Sequence, residues 1–386
     1  MTRAFPPAPE HLDQALRTAV APSLSAIGRT HACSAAQAAV GHHDCVLFRR
    51  ALGCTSFEPE GRPVELDTPF DIASVTKALV GATLAMQAID QGLADWHTPL
   101  GELYAPWRDH PDPRAAQATL LHLLNHTTGL PAWHKYYLEY PLAPSPERAR
   151  DTRHAVLTRI CRTPLTDVPG HTYAYSDLGY ILLAAVLETI FEAPLARLAR
   201  QRIFAPLALT HTDYVDRTAG DAPITEAVAT ERCELRGGLV LGSVHDENTD
   251  ILGGVSCHAG VFSTADDLLR FGQHLLAIDQ GQAPEHALVS RPTLHAAWSP
   301  DAAMAGGHHR GGWDTPSGER SSAGRGFAPE HTVGHLGFTG TSIWIERHRG
   351  IVSVLLTNRV YPTRDNALIK EARIAFQEAV IAPAIA

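Results

Sequence analysis

At 386 residues the chain exceeds the size at which a single hydrophobic core usually keeps growing, so two subdomains are expected. Its formal charge of −9, with acidic and basic residues mixed along the chain, offers no basic stripe and excludes a nucleic-acid partner. No apolar run approaches the ~20 residues that span a bilayer.

The opening segment, Met1-Thr2-Arg3-Ala4-Phe5-Pro6-Pro7, leads into a polar helical pattern over residues 9 to 20 rather than into the apolar centre of a signal peptide. Six cysteines (Cys33, Cys45, Cys54, Cys161, Cys233, Cys257) are scattered without CxxC pairs, which suits reduced thiols better than a disulfide framework or a zinc ribbon. Together these features predict a cytoplasmic protein. Ala35 to Val40, the turn Gly41-His42-His43-Asp44, and Cys45 to Leu52 read as a β-hairpin. Residues 74 to 91 are strongly helical, with Gly92 as the C-terminal cap, and a second helical stretch ends in Leu123-Leu124-Asn125-His126. From about 130 to 250 the pattern is mixed, with many prolines and short helices. Ser342 to Glu346 and Ile351 to Thr357 flank the turn His348-Arg349-Gly350 as an antiparallel hairpin. The last helix carries apolar residues at Leu368, Ala372, Phe376 and Ala379. Strands at both ends and helices between them predict an α/β (α+β) fold: one antiparallel sheet built from both termini, covered by the first and last helices, with a mainly helical insert. The expected division is 1–95 with 261–386 as the sheet domain and 96–260 as the inserted domain, with the functional site between them.

Lysine is scarce. Only Lys77, Lys135 and Lys370 stand among 32 cationic residues, so a lysine inside an apolar segment is a candidate for chemistry that arginine, which holds its proton, cannot do. Ser74-Val75-Thr76-Lys77 is such a case. At the start of a helix, positions i and i+3 share a face, so the serine hydroxyl and the amine can meet. The flanking Ile72, Ala73, Val75, Ala78, Leu79 and Val80 would desolvate Lys77, depress its pKa and let it take the serine proton. Alone the motif also fits a capping serine followed by a solvated lysine. Tyr175-Ser176-Asp177 sets a tyrosine and a carboxylate two apart before a helix; a tyrosine beside a cation can relay a proton, although such residues more often pack and cap. Gly334-His335-Leu336-Gly337-Phe338-Thr339-Gly340-Thr341 has the glycines that let a backbone N–H approach a reacting oxygen, or that simply make a tight turn.

The ordered set Ser74-x-x-Lys77, Tyr175-x-Asp177 and His335-x-Gly337 resembles the serine β-lactamase-like superfamily of class C β-lactamases, DD-peptidases and family VIII esterases. Phe70 to Lys77, Leu123 to Leu130, Ile203 to Leu207 and Gly260 to Leu268 match as well, so the resemblance runs from about residue 10 to 380. It implies a β-lactamase/transpeptidase-like fold and two-step acyl transfer to water with no cofactor. In that reading Ser74 is the nucleophile, Lys77 and Tyr175 share the proton traffic, His335 completes the catalytic set, and the N–H groups of Ser74 and Phe338 form the oxyanion hole. Gly337 and Asp177 would touch substrate. Asp177 stands where the family's usual residue is Asn, and His335 where β-lactamases and many peptidases carry Lys. Both changes favour a serine hydrolase of esterase type, acting on a small molecule or short peptide-like substrate, over a true β-lactamase; a DD-carboxypeptidase-type amide hydrolase is the alternative. A subgroup with similar Gly242 to Asn248, Gly253 to Gly260, Gly312 to Thr315 and Leu356 to Pro362 segments suggests Asn248 and Trp313 as pocket residues. His245, Asp246, Glu247, Cys257 and His258 could be read as metal ligands, but their spacing matches no standard zinc pattern and a hydrogen-bonded loop network needs the same residues, so no metal is expected. The remaining rival is a catalytically silent binding protein with this fold.

Overall fold

The computed structural model describes residues 9–282, 284 and 286–382. The reading of Met1 to Pro7 lies outside them. Among the described residues, seven strands form one antiparallel sheet in the order Cys45–Gly53, Ala35–His42, Ile351–Thr357, Ser342–Glu346, Thr332–Leu336, Trp313–Asp314, His309–Arg310. The two ends of the chain meet at its centre, where Ala39 pairs with Val354 and Gln37 with Leu356. Both predicted hairpins are present.

The period of two along the central strands sorts their side chains onto two faces. Ala36, Ala38, Val40, Trp344 and Leu355 pack with Leu12 and Leu16 of the helix Pro9–Ala19 and with Phe376 and Val380 of the helix Ile369–Ile381. Ala39, Ile343, Val352, Val354 and Leu356 face the other way, into the main core with Leu268, Phe271 and Leu275 of the helix Ala265–Asp279. The first and last helices therefore cover one face only. A third helix closes the second face, because strands so apolar on both sides must be covered on both.

The last helix is rotated from its expected stripe. Ile369, Arg373, Phe376, Gln377 and Val380 are its buried positions, while Leu368, Ala372 and Ala379 are partly buried at the margin. Polar partners turn it: the Ser353 hydroxyl donates to Gln377 Oε1 at 2.8 Å, and Arg373 reaches the loop at 337. Among the described residues no single helix is long and apolar enough to cross a membrane.

A smaller sheet pairs Val261–Ser263 with Phe70–Asp71 on one side and Asp213–Tyr214 on the other. It fixes the chain immediately before Ser74. Continuing from there, Lys77–Ala82 is wound as a wider π turn before α-helix resumes at Thr83–Asp90, and Gly92 ends the segment at φ 68°.

Candidate active site

Ser74 stands at a strained corner. Ala73 has φ 46°, a left-handed conformation that costs an alanine roughly 1 kcal/mol, and its N–H is held by Asp71 Oδ1 at 2.8 Å. The chain then turns into its helix, bringing Lys77 onto the face of Ser74. Lys77 Nζ donates to Ser74 Oγ at 3.1 Å, to Asp177 Oδ1 at 2.7 Å and to the His258 carbonyl at 3.2 Å. Three acceptors match the three donors of an ammonium group. Of the three lysines only Lys77 is buried, at 0% exposure. The apolar surroundings expected from sequence are there, but a carboxylate shares them; an unpaired cation at this depth would cost several kcal/mol, and the Asp177 ion pair offsets that penalty.

Tyr175 comes from the residues before the helix Asp177–Phe191, which Ser176 caps by accepting from Gly179 N at 3.1 Å. The loop at 126 presents it. The His126 carbonyl accepts from Ala174 N at 2.9 Å and His126 Nδ1 accepts from Ser176 N at 3.0 Å, so the ring of His126 lies 4.3 Å from that of Tyr175. Lys77 Nζ is 4.7 Å from the Tyr175 ring centre. Burial, and next to it the Asp177 carboxylate, hold the Tyr175 hydroxyl well above its ordinary pKa, while its hydrogen bond with Ser74 acts the other way. Tyr175 is therefore a phenol.

His335 lies on the strand Thr332–Leu336, 2% exposed, with Nδ1 donating to the Leu336 carbonyl at 2.8 Å and no partner on Nε2 among the described residues. Burial, and then Lys77, push its pKa down to about 3, so it is neutral imidazole with a free lone pair. Behind it the turn 337–341 is stitched to the nucleophile segment: Thr339 Oγ1 donates to the Asp71 carbonyl at 2.7 Å and Thr341 Oγ1 to the Ile72 carbonyl at 2.8 Å. The N–H groups of Ser74 and Phe338 have no hydrogen-bond partner among the described residues, and both residues line a cavity of ≈ 890 Å³ with Tyr175, Asp177, His335 and Gly337.

Asn248 and Trp313 are not in that lining. Trp313 is at 0% exposure between Phe271 and Trp298, because its strand faces the apolar core. Asn248 joins two loops instead, accepting from Tyr137 N at 3.3 Å and donating to the His134 carbonyl at 2.8 Å. The segments around 245 and 258 form a hydrogen-bonded network. His258 Nε2 meets Asp246 Oδ1 at 2.9 Å and Nδ1 meets Ser256 Oγ at 2.7 Å, which holds the His258 carbonyl against Lys77; His245 pairs with Glu231 and Glu247 with Arg364. Among the described residues, metal-capable clusters are His308, His309 and Asp314, and Glu231, Cys233 and Glu247, so of the five residues weighed from sequence only Glu247 belongs to one. In the first, His308 Nδ1 and Asp314 Oδ1 are already hydrogen-bonded at 2.6 Å.

Sequence reasoning passed over His126, His309, Arg359 and Arg373. His309 is buried beside Tyr175 and bonded through Nδ1 to the Tyr173 hydroxyl at 2.9 Å. Arg373 lies on the buried stripe that the structure gives the last helix, not on the one read through Leu368, Ala372, Phe376 and Ala379, so its charge gave no signal.

A sheet assembled from both chain ends, with a serine and a lysine joined at the head of a helix beside it, defines a serine hydrolase of β-lactamase fold. Residues 12–377 match the family model described as Beta-lactamase, and the chain belongs to that family. It is 29% identical over 318 residues to an N-acetylmuramyl-L-alanine amidase of Bacillus subtilis (strain 168), covering 77% of this chain and 70% of that protein. A putative D-alanyl-D-alanine carboxypeptidase of Salmonella enteritidis PT4 (strain P125109) is 27% identical over 311 residues, 76% of this chain and 70% of the relative. Among solved structures, EstCE1, a hydrolase with promiscuous acyltransferase activity, superposes with a TM-score of 0.70 at 19% identity, covering 97% of this chain and 99% of that one.

Proposed function

We propose that the protein hydrolyses an ester or amide through an acyl-enzyme on Ser74, with the preference of an esterase rather than of a true β-lactamase. The observation that carries the reading is the hydrogen bond from buried Lys77 to Ser74 Oγ, next to two backbone N–H groups with no partner among the described residues. Ser74 Oγ adds to the substrate carbonyl as its proton passes to Lys77, which gives one of its own to Asp177 across their 2.7 Å contact. The oxyanion rests on the N–H groups of Ser74 and Phe338. Tyr175, as a phenol, hands a proton to the leaving group, and the steps reverse with water. In this reading the residues belong to two domains, 1–95 with 261–386 and the insert 96–260.

The esterase preference is supported by His335. A neutral, buried imidazole brings no positive charge to the position where β-lactamases carry lysine, so the carboxylate of a penicillin or cephalosporin gains nothing there. The amide-cleaving names of the two curated relatives favour a second reading, an amidase or carboxypeptidase on a short peptide-like substrate.

One experiment addresses both. A fluorophosphonate should add once, at Ser74, by intact-protein mass spectrometry, and Ser74→Ala should lose both label and turnover. In a panel of p-nitrophenyl acetate and butyrate, a chromogenic cephalosporin and a D-Ala-D-Ala peptide, the esters should show kcat/KM well above the cephalosporin. Label on a different serine, or undiminished turnover in Ser74→Ala, sinks the mechanism; peptide cleavage matching the esters selects the amidase reading.

A further inference from the structure

Two arginines grip the turn that carries Phe338. Arg373 Nη2, from the last helix, donates to the Gly337 carbonyl at 2.7 Å and to the Thr341 carbonyl at 2.7 Å. Arg359 Nε donates to the Phe338 carbonyl at 2.7 Å, with its guanidinium 4.2 Å from the Phe338 ring centre. Neither has a carboxylate partner among the described residues, whereas Arg217 and Arg236 meet Asp250, and Arg347 meets Asp279. Arg373 is 7% exposed and its Nε has no hydrogen-bond partner among the described residues. Burial, and then Arg359, draw its pKa down to about 9. A covered cation without a counter-ion is costly, and joining two carbonyls does not require a full charge.

The Gly337 carbonyl and the Phe338 N–H belong to one peptide unit. A cation on the oxygen draws electron density from the nitrogen and makes the N–H a stronger donor. We propose that Arg373 is a positioning residue that fixes and polarises the Gly337–Phe338 peptide, strengthening the Phe338 N–H toward the oxyanion that forms when Ser74 attacks. This rests on the acyl-enzyme reading above. No bond to Arg373 forms or breaks; negative charge moves onto the substrate oxygen as Ser74 Oγ bonds to the carbonyl carbon, and the polarised N–H meets it. A carboxylate beside Arg373 would cancel the effect, and the fold supplies none among the described residues.

The test uses the full-length protein with Arg373→Gln and Arg373→Lys, thermal melting to compare folding, p-nitrophenyl butyrate kinetics, and the rate of fluorophosphonate labelling. Losing an oxyanion donor outright costs ~100–1000-fold in kcat, so weakening one should cost Arg373→Gln roughly 10–100-fold. KM should move less than about threefold, since the interaction strengthens only in the transition state. Labelling should slow in parallel, and Arg373→Lys, which keeps the charge, should recover part of the loss. Unchanged kcat in a folded Gln variant, equal losses in Gln and Lys, or a change in KM alone would overturn the proposal. If Arg373→Gln does not fold, Arg373→Met, which keeps the apolar stem without the charge, decides: wild-type kcat overturns the proposal, and a fall in kcat at constant KM supports it. Absence of label on wild-type Ser74 would defeat the acyl-enzyme reading itself, whereas wild-type labelling matched by both variants defeats only the role of Arg373.

Discussion

Lys77 is where the sequence and the folded site differ most usefully. Its scarcity and apolar flanks marked it as chemical, and the structure adds what a local window cannot contain: Asp177, a hundred positions away, within 2.7 Å. Lys77→Arg keeps the positive charge beside Asp177 but removes a group able to exchange a proton with Ser74. A loss of at least ~100-fold in kcat is expected, the ordinary scale for a missing acid or base. Steady-state kinetics on a short ester, with a melting curve to verify folding, measure it; near-wild-type turnover would reduce Lys77 to a charged neighbour. That Ser74, Lys77, Tyr175 and His335 come together in one candidate site was legible because each sits in a short motif whose spacing is set by one turn or strand. Trp313 was not, because similarity of a segment does not say which way a strand faces, and here the ring points into the core. Arg359 and Arg373 were hidden by abundance: in a chain that uses arginine nearly everywhere, two more attract no notice.

At the level of elements, the hairpins declared themselves through alternation, and the paired register of Ser342–Glu346 with Ile351–Thr357 follows from it. The bounds of the short helices of the middle region did not, since an element of five residues such as Glu247–Ile251 leaves no period to read. The turn 337–341 shows how an element becomes functional through its contacts. A Cβ on Gly337 would lie 2.0 Å from Thr341 Oγ1 and 2.5 Å from the Ile72 carbonyl, the two atoms that join this turn to the segment before Ser74. Gly337→Ala should therefore part the turn from Ser74. We expect ~1–3 kcal/mol of destabilisation, typical of overpacking, together with a larger fall in kcat than in folded fraction. Urea unfolding alongside kinetics tests this, and an alanine variant with both values unchanged would show that the turn tolerates the methyl group.

For the whole molecule, the buried histidines set a pH dependence. His126 and His309 are held well below their ordinary pKa by burial first and by neighbouring charges next, His335 at about 3, and His274 at about 4 by burial. Between their folded pKa values and the unfolded value near ~6.5 the unfolded chain binds more protons than the folded one. The stability they contribute is fully present above that unfolded value and is lost as pH falls from it toward about 4 and 3. The melting temperature should drop progressively from pH 7 to pH 4.5, and less steeply in His309→Gln and His335→Gln. A flat profile across that range would mean that these rings find a way to accept protons without unfolding.

The strand pairing that unites the two ends of the chain also sets an order of events during synthesis. The hairpin Ala35–Gly53 leaves the ribosome early, yet the strand that covers its inner edge, Ile351–Thr357, is made some three hundred residues later. Closing so long a loop carries an entropic cost that is met before any of the pairing rewards it. Until then Ala35–His42 presents an unpaired apolar edge, the feature that invites association with other chains. His335, Gly337 and Phe338 also come from this last portion, so a nascent chain already holding Ser74 and Lys77 has no third wall to its site. The sheet therefore acts as a lock on timing: the centre is assembled only after Ile351–Thr357 has been made.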